Sequence, residues 1–197
     1  MEQKIDTDVT PDTPDAHDMN DMNDMNDMND WNRRSDQAWA EIDGYYEREA
    51  EAEFRERIDA LADELPEGSP IAPFERACAW DSTGHSDKAA PLYREALDRG
   101  LAGMRRRRAV VQMSSSLRNI GRVEEAIELL TAERGNHDPD AAVLSDAVAA
   151  TLALCLVDVG RGREAVSLAV GALAPHLPRY QRSMANYARM LVEGGSE

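Results

Sequence analysis

From residue 35 onward, apolar residues recur at steps of three and four. Trp39, Ile42, Tyr46, Ala50, Phe54, Ile58, Leu61 and Leu65 would share one face of a long helix over 35–65. The stretch "LPEGSP" at 65–70 then breaks the pattern. Beyond it the same period returns in blocks divided by single glycines. Gly84, Gly121 and Gly160 each have a small residue seven positions before (Ala77, Ser114, Ala153) and a large one four before (Trp80, Leu117, Leu156). Each is followed by alanine at +5 (Ala89, Ala126, Ala165) and leucine at +8 (Leu92, Leu129, Leu168). Agreement of three registers at four offsets predicts a helix–turn–helix unit repeated three times, over about 70–101, 104–135 and 139–174.

In each unit the glycine marks the turn between a first helix, A, and a second, B. Small side chains at −7 and +5 let the two helices approach, and large ones at −4 and +8 fill the space between units. In the second unit Val110, Met113, Leu117 and Ile120 would point into the stack, with Ser114 small because a neighbouring helix presses on it. The last unit would leave an apolar face uncovered, so a final helix is expected over 178–193. Pro178 would stand at its first helical position. Tyr180, Met184, Tyr187 and Leu191 would face inward, and Arg179, Arg182, Asn186 and Arg189 outward.

These spacings resemble the tetratricopeptide repeat family. With Gly84 at the turn, Trp80, Ala89, Tyr93 and Ala96 fall on the family's bulky and small positions, as do Leu117, Ala126 and Leu130, then Leu156 and Ala165. The wording "FERACAWDSTGHSDKAAPLYREAL" and "LPRYQRSMANYARML" is similar to the bacterial tetratrico peptide repeat group 5, over roughly residues 60–193. The units are longer than the family's usual length, and Glu133 stands where a small residue is usual. The resemblance implies an all-α, right-handed superhelical stack of tetratricopeptide-like repeats with a C-terminal capping helix.

Composition fits an all-helical chain, because Leu and Ala dominate the apolar residues and aromatics are 5%. Charge divides the chain. Residues 1–70 hold 22 acidic and 6 basic side chains, whereas 71–197 hold 16 of each. The segment 1–34 includes four consecutive Met-Asn-Asp units and shows no periodic apolar face, so it is expected to be a disordered acidic tail ahead of a repeat domain at 35–197. An acidic first third and a neutral body disfavour nucleic acid as a partner. No uninterrupted apolar run approaches the ~20 residues that span a bilayer, and no secretory signal is present, so no membrane association and a cytoplasmic location are expected. Cys78 and Cys155 lie within apolar helical patterns and are expected to be buried thiols.

No nucleophile–base pair, phosphate-cradling loop or metal-ligand spacing stands out, so neither enzyme activity nor a cofactor or metal is expected. What remains is a surface. Arg108, Gln112, Ser115 and Asn119 recur at steps of four, three and four as one polar stripe. The resemblance places them, with Arg118, on the groove that A helices line, and adds Glu75, Cys78, Asp81 and Ser82 from unit one and Thr151, Leu154 and Asp158 from unit three. Arg182 and Asn186 of the last helix complete the candidate partner-binding set. The four arginines at 105–108 point in all directions around a helix, and ion pairing with carboxylates of neighbouring units is their simplest role. The implied function is a protein- or peptide-binding adaptor with a preference for acidic or carboxylate-bearing partners. The alternative is a small-anion-sensing or enzyme-associated regulatory module.

Overall fold

The computed structural model describes residues 16–193, and every element among them is helical. Ten α-helices follow in order: α1 (Ala16–Ala40), α2 (Ile42–Tyr46), α3 (Glu51–Asp63), α4 (Ile71–Ser82), α5 (Ser86–Asp98), α6 (Gly103–Asn119), α7 (Val123–Arg134), α8 (Ser145–Asp158), α9 (Gly162–Leu173) and α10 (Gln181–Glu193). Short 3₁₀ turns at Pro139–Leu144 and Ala174–His176 precede α8 and follow α9. The chain divides into two compact units, one ending at Gly44 and one beginning at Tyr45.

In the first unit α1 is helical from Ala16. The segment 16–34 is therefore not the structureless tail expected; residues 1–15 lie outside the described residues. An Asp at i and an Arg at i+3 or i+4 support a helix locally. Asp30 accepts hydrogen bonds from both Arg33 and Arg34, and these bonds hold its carboxyl below the usual range.

The single helix expected over 35–65 is instead three pieces. It is interrupted after Ala40 and again between Tyr46 and Glu51, where Glu49 takes a positive φ of 55°. Ala50 N–H turns back to the Tyr45 carbonyl at 2.9 Å, and that bond closes the break.

From α4 onward the helix pairs follow the repeat. Each of α4 to α10 packs on the next in chain order, and α4, α6 and α8 also touch one another in sequence. The A helices thus form one layer, and the B helices α5, α7 and α9 each pack between the helices before and after them. Gly84, Gly121 and Gly160 have φ of +82°, +81° and +77°, where a side chain is strained. The residue after each glycine donates its N–H to the carbonyl four residues before that glycine: His85 to Trp80, Arg122 to Leu117 and Arg161 to Leu156, at 2.8–2.9 Å. This is the glycine-ended helix cap, repeated three times.

The small residues at −7 and +5 are all buried, and this is where A and B helices of one unit meet. Between units the filling residue differs from expectation. Leu92, Leu129 and Leu168 are half-buried, whereas the next residue, Tyr93 or Leu130, is fully enclosed in the first two units. Val110, Met113 and Leu117 point inward as expected, but Ile120 lies at the helix end and is exposed.

α10 begins at Gln181, so Pro178 is not its first residue, and Tyr180 before it has a φ of +69°. Its inner face is Met184, Ala188 and Leu191; Tyr180 and Tyr187 point outward. Tyr180 thus lies ahead of the helix, and Ala188 rather than Tyr187 joins Met184 and Leu191 on the inner face.

A buried ion pair ties the second unit to the third. Arg107, in the second turn of α6, donates through Nε to Glu133 Oε1 at 2.8 Å. Its Nη1 donates to the Ala141 carbonyl at 2.9 Å and the Ser145 hydroxyl at 3.3 Å, and its Nη2 to the Asn136 carbonyl. Glu133 also accepts from Arg106 and from Asn136 Nδ2. The linker from α7 to α8 is thereby fastened at both ends.

The stretch Pro139–Asp158, with mean hydropathy 1.8, is long and apolar enough by length and composition to cross a membrane. This corrects the expectation that nothing in the chain is. Isolated polar residues such as Asp146 interrupt the run in sequence without lowering its mean much. In the fold this stretch packs against α6, α7 and α9, and about a third of its apolar window is buried, 33%.

Ala126→Leu is expected to destabilise the fold by roughly 1–3 kcal/mol, since Ala126 is fully enclosed between helices. Glu133→Ala is expected to cost about 3–5 kcal/mol, because it strands the buried Arg107 guanidinium. Urea unfolding of both variants, with exposed Glu128→Ala as a reference within about 0.5 kcal/mol of wild type, checks the pair.

Candidate functional site

The polar stripe of α6 exists, but most of its members already have partners within the chain. The Arg108 guanidinium lies 5.3 Å from the centre of the Phe74 ring of α4, an arrangement that holds the side chain across the inter-repeat seam. Gln112 is half-buried and accepts from the Cys78 thiol at 3.5 Å. Ser115 is half-buried beside it. Arg118 donates to both carboxylate oxygens of Asp158 on α8, and Asn119 donates to the Ser86 hydroxyl at 3.2 Å. The Arg118 hydrogen bonds hold Asp158 below the usual carboxylate range and raise Arg118 itself.

Arg182 and Asn186 do not join this group. Among the described residues α10 makes backbone contacts with α9 and the turn after it, and none with α6 or α8. Asn186 accepts from Arg189 at 2.6 Å, and the two side by side with Arg182 line an open depression on α10 alone.

The neighbouring A helices also differ from the implied groove. Glu75 and Cys78 of α4 are buried, not presented; Arg105 approaches Glu75 at 3.9 Å. Burial, with the Glu75 charge adding to it, pushes the Cys78 thiol up to about 12, so it is not a reactive thiolate at neutral pH. On α8 the Thr151 hydroxyl bonds back to the Ala147 carbonyl at 2.9 Å, while Leu154 and Val157 stand exposed.

A buried polar cluster that sequence reasoning missed lies under the stripe. Asp81 of α4 accepts from Ser116 Oγ at 2.7 Å and from the Tyr93 hydroxyl at 3.4 Å. Burial raises the Asp81 carboxyl above its ordinary 3.8, against the two hydroxyl donors that lower it. Tyr93 is also raised, first by burial and then by the neighbouring Cys78 and Asp81 charges. The available sequence signal was weak, since Ser116 is the last of three consecutive serines and nothing marks it apart from the other two. Among the described residues no group of three or more His, Cys, Asp or Glu side chains is placed to hold a metal ion.

Three glycine-capped helix pairs, joined through a layer of A helices with polar seams, define a helical repeat protein. The model of the tetratrico peptide repeat family matches residues 70–191, and the chain belongs to that family. No curated protein and no solved structure matches it. Repeats of this kind generally mediate protein–protein interaction and typically form non-enzymatic scaffolds.

The Asp81 cluster predicts a pH effect. A carboxyl whose folded value is raised keeps its proton longer in the native state, so its contribution favours folding at low pH. That contribution is lost as pH rises from the unfolded value through the folded one. Asp81→Asn keeps an acceptor for Ser116 and removes the half-buried charge. The variant is expected to be at least as stable as wild type at neutral pH, with its advantage shrinking toward about pH 3. Denaturation midpoints measured across that range check the sign.

Proposed function

We propose that the protein is a cytoplasmic adaptor that binds a protein or peptide along a concave groove lined by the A helices of a right-handed superhelical stack. The supporting observation is the layer formed by α4, α6 and α8, on which the half-buried Gln112, Ser115 and Arg118 follow one another along α6. Half-burial suits recognition, because such side chains are already ordered and lose little freedom on binding. The free thiols Cys78 and Cys155 suit a reducing compartment.

The preference for acidic or carboxylate-bearing partners then rests on Arg108. Arg118 is committed to Asp158, whereas Arg108 is exposed and, among the described residues, faces an aromatic ring rather than a carboxylate. A guanidinium pinned over a ring keeps its edge available to grip a carboxylate through two bonds.

Capture of partners from native lysate on immobilised full-length protein tests this reading. Arg108→Glu is expected to abolish capture with helical content unchanged, and capture by the wild type is expected to weaken as salt is raised. A partner bound equally by wild type and Arg108→Glu would remove the groove assignment.

A further inference from the structure

Counting back from the turn glycine, the residues at −10, −6 and −3 of each A helix face the next A helix. In the first unit these are Phe74, Cys78 and Asp81, and α6 covers them: Phe74 is 0% exposed beneath Arg108, Cys78 is 1% exposed against Gln112, and Asp81 accepts from Ser116. In the second unit Val111, Ser115 and Arg118 are half-buried, with Arg118 bonded to Asp158 of α8. In the third unit the same positions are Ala150, Leu154 and Val157. They are exposed, Leu154 by 53% and Val157 by 58%. The next helix in the chain, α10, leans on α9 and makes no backbone contact with α8. Among the described residues, the last A helix thus presents an apolar version of the inter-repeat seam with no helix upon it.

We infer that this face of α8 receives an amphipathic helix from a partner protein, laid along α8 as α6 is laid along α4. The inference concerns the α8 end of the A-helix layer, where the resemblance also puts Leu154, and it does not depend on the Arg108 contact proposed above. The two covered seams specify the incoming face. Arg108, Gln112, Ser116 and, in the next unit, Asp158 are the covering residues, and from the turn glycine they stand at −13, −9, −5 and −2. A seated helix therefore meets α8 through residues at i, i+4, i+8 and i+11. Opposite Ala150, Leu154 and Val157 those residues are apolar, since an unpaired polar group placed there would be desolvated without a partner.

A second copy fits less well. Two-fold pairing of α8 helices would bury only Ala150, Leu154 and Val157 of each copy. Three side chains fall well short of the ~800 Å² per partner of a stable dimer.

The test uses the full-length protein and a fluorescent synthetic peptide about four turns long, with leucine at i, i+4, i+8 and i+11 and Lys and Glu elsewhere. A peptide of the same composition with the leucines scrambled out of register is the control. Saturable binding by anisotropy is expected for the registered peptide, with at least a tenfold weaker Kd for Leu154→Glu and for the scrambled peptide. Leu154 is exposed, so the variant should retain the wild-type Tm; if it does not, Val157→Glu replaces it. Wild-type protein should sediment as a monomer and should not pellet with phosphatidylcholine–phosphatidylglycerol vesicles. No saturable binding, or binding indifferent to the α8 variants, overturns the inference. So does a dimer abolished by Leu154→Glu, which makes the occupant a second copy, or vesicle pelleting abolished by it, which makes the occupant a membrane. Arg108→Glu should leave peptide binding unchanged, which separates this site from the Arg108 contact.

Discussion

The buried pair of Arg107 and Glu133 is the constraint on which the stack depends. A guanidinium and a carboxylate, each almost without exposure, are held in a helical core because four of the five guanidinium hydrogens find acceptors, the carboxylate among them. The pair joins the start of one A helix to the end of its own B helix, and through Asn136, Ala141 and Ser145 it reaches the next unit. Other seams between units are made by side chains meeting across A helices. This one also fixes where the third unit begins.

The fold was legible because its rule is local and repeated. A glycine that must take a positive φ, with small and bulky residues at constant offsets around it, can be read in one dimension. Long-range polar pairing cannot. Glu133 stood out in the sequence as a misfit at a small-residue position, and the structure explains the misfit by the arginine it meets 26 residues away. The run of four arginines resolves in the same way. Arg105, Arg106 and Arg107 meet glutamates of their own or a neighbouring unit, and Arg108 lies over an aromatic ring.

Less was legible where no repeat constrained the chain. The N-terminal pattern, which gave one continuous helix, did not register that a loose apolar face tolerates breaks near Glu41 and Glu49. At the other end, Met184 and Leu191 of α10 do face inward, but the sequence pattern did not distinguish Tyr187 from its neighbour Ala188 as the third inward residue, and Tyr180 precedes the helix. The α6 stripe was found, yet its internal partners were invisible: nothing in sequence says that Arg118 meets Asp158, or that Glu75 and Cys78 lie beneath the next helix.

The way Arg107 holds the linker has a consequence for its freedom to change. Two of the guanidinium's contacts are to the main-chain carbonyls of Asn136 and Ala141, groups that every amino acid carries. What is read is the course of the backbone rather than the identity of its side chains. Substitutions between the second and third units can therefore accumulate with little penalty while the path is kept. A change of length there would move the carbonyls themselves. The linker is thus permissive in composition and strict in measure, the reverse of the glycine turns, where one residue type is demanded.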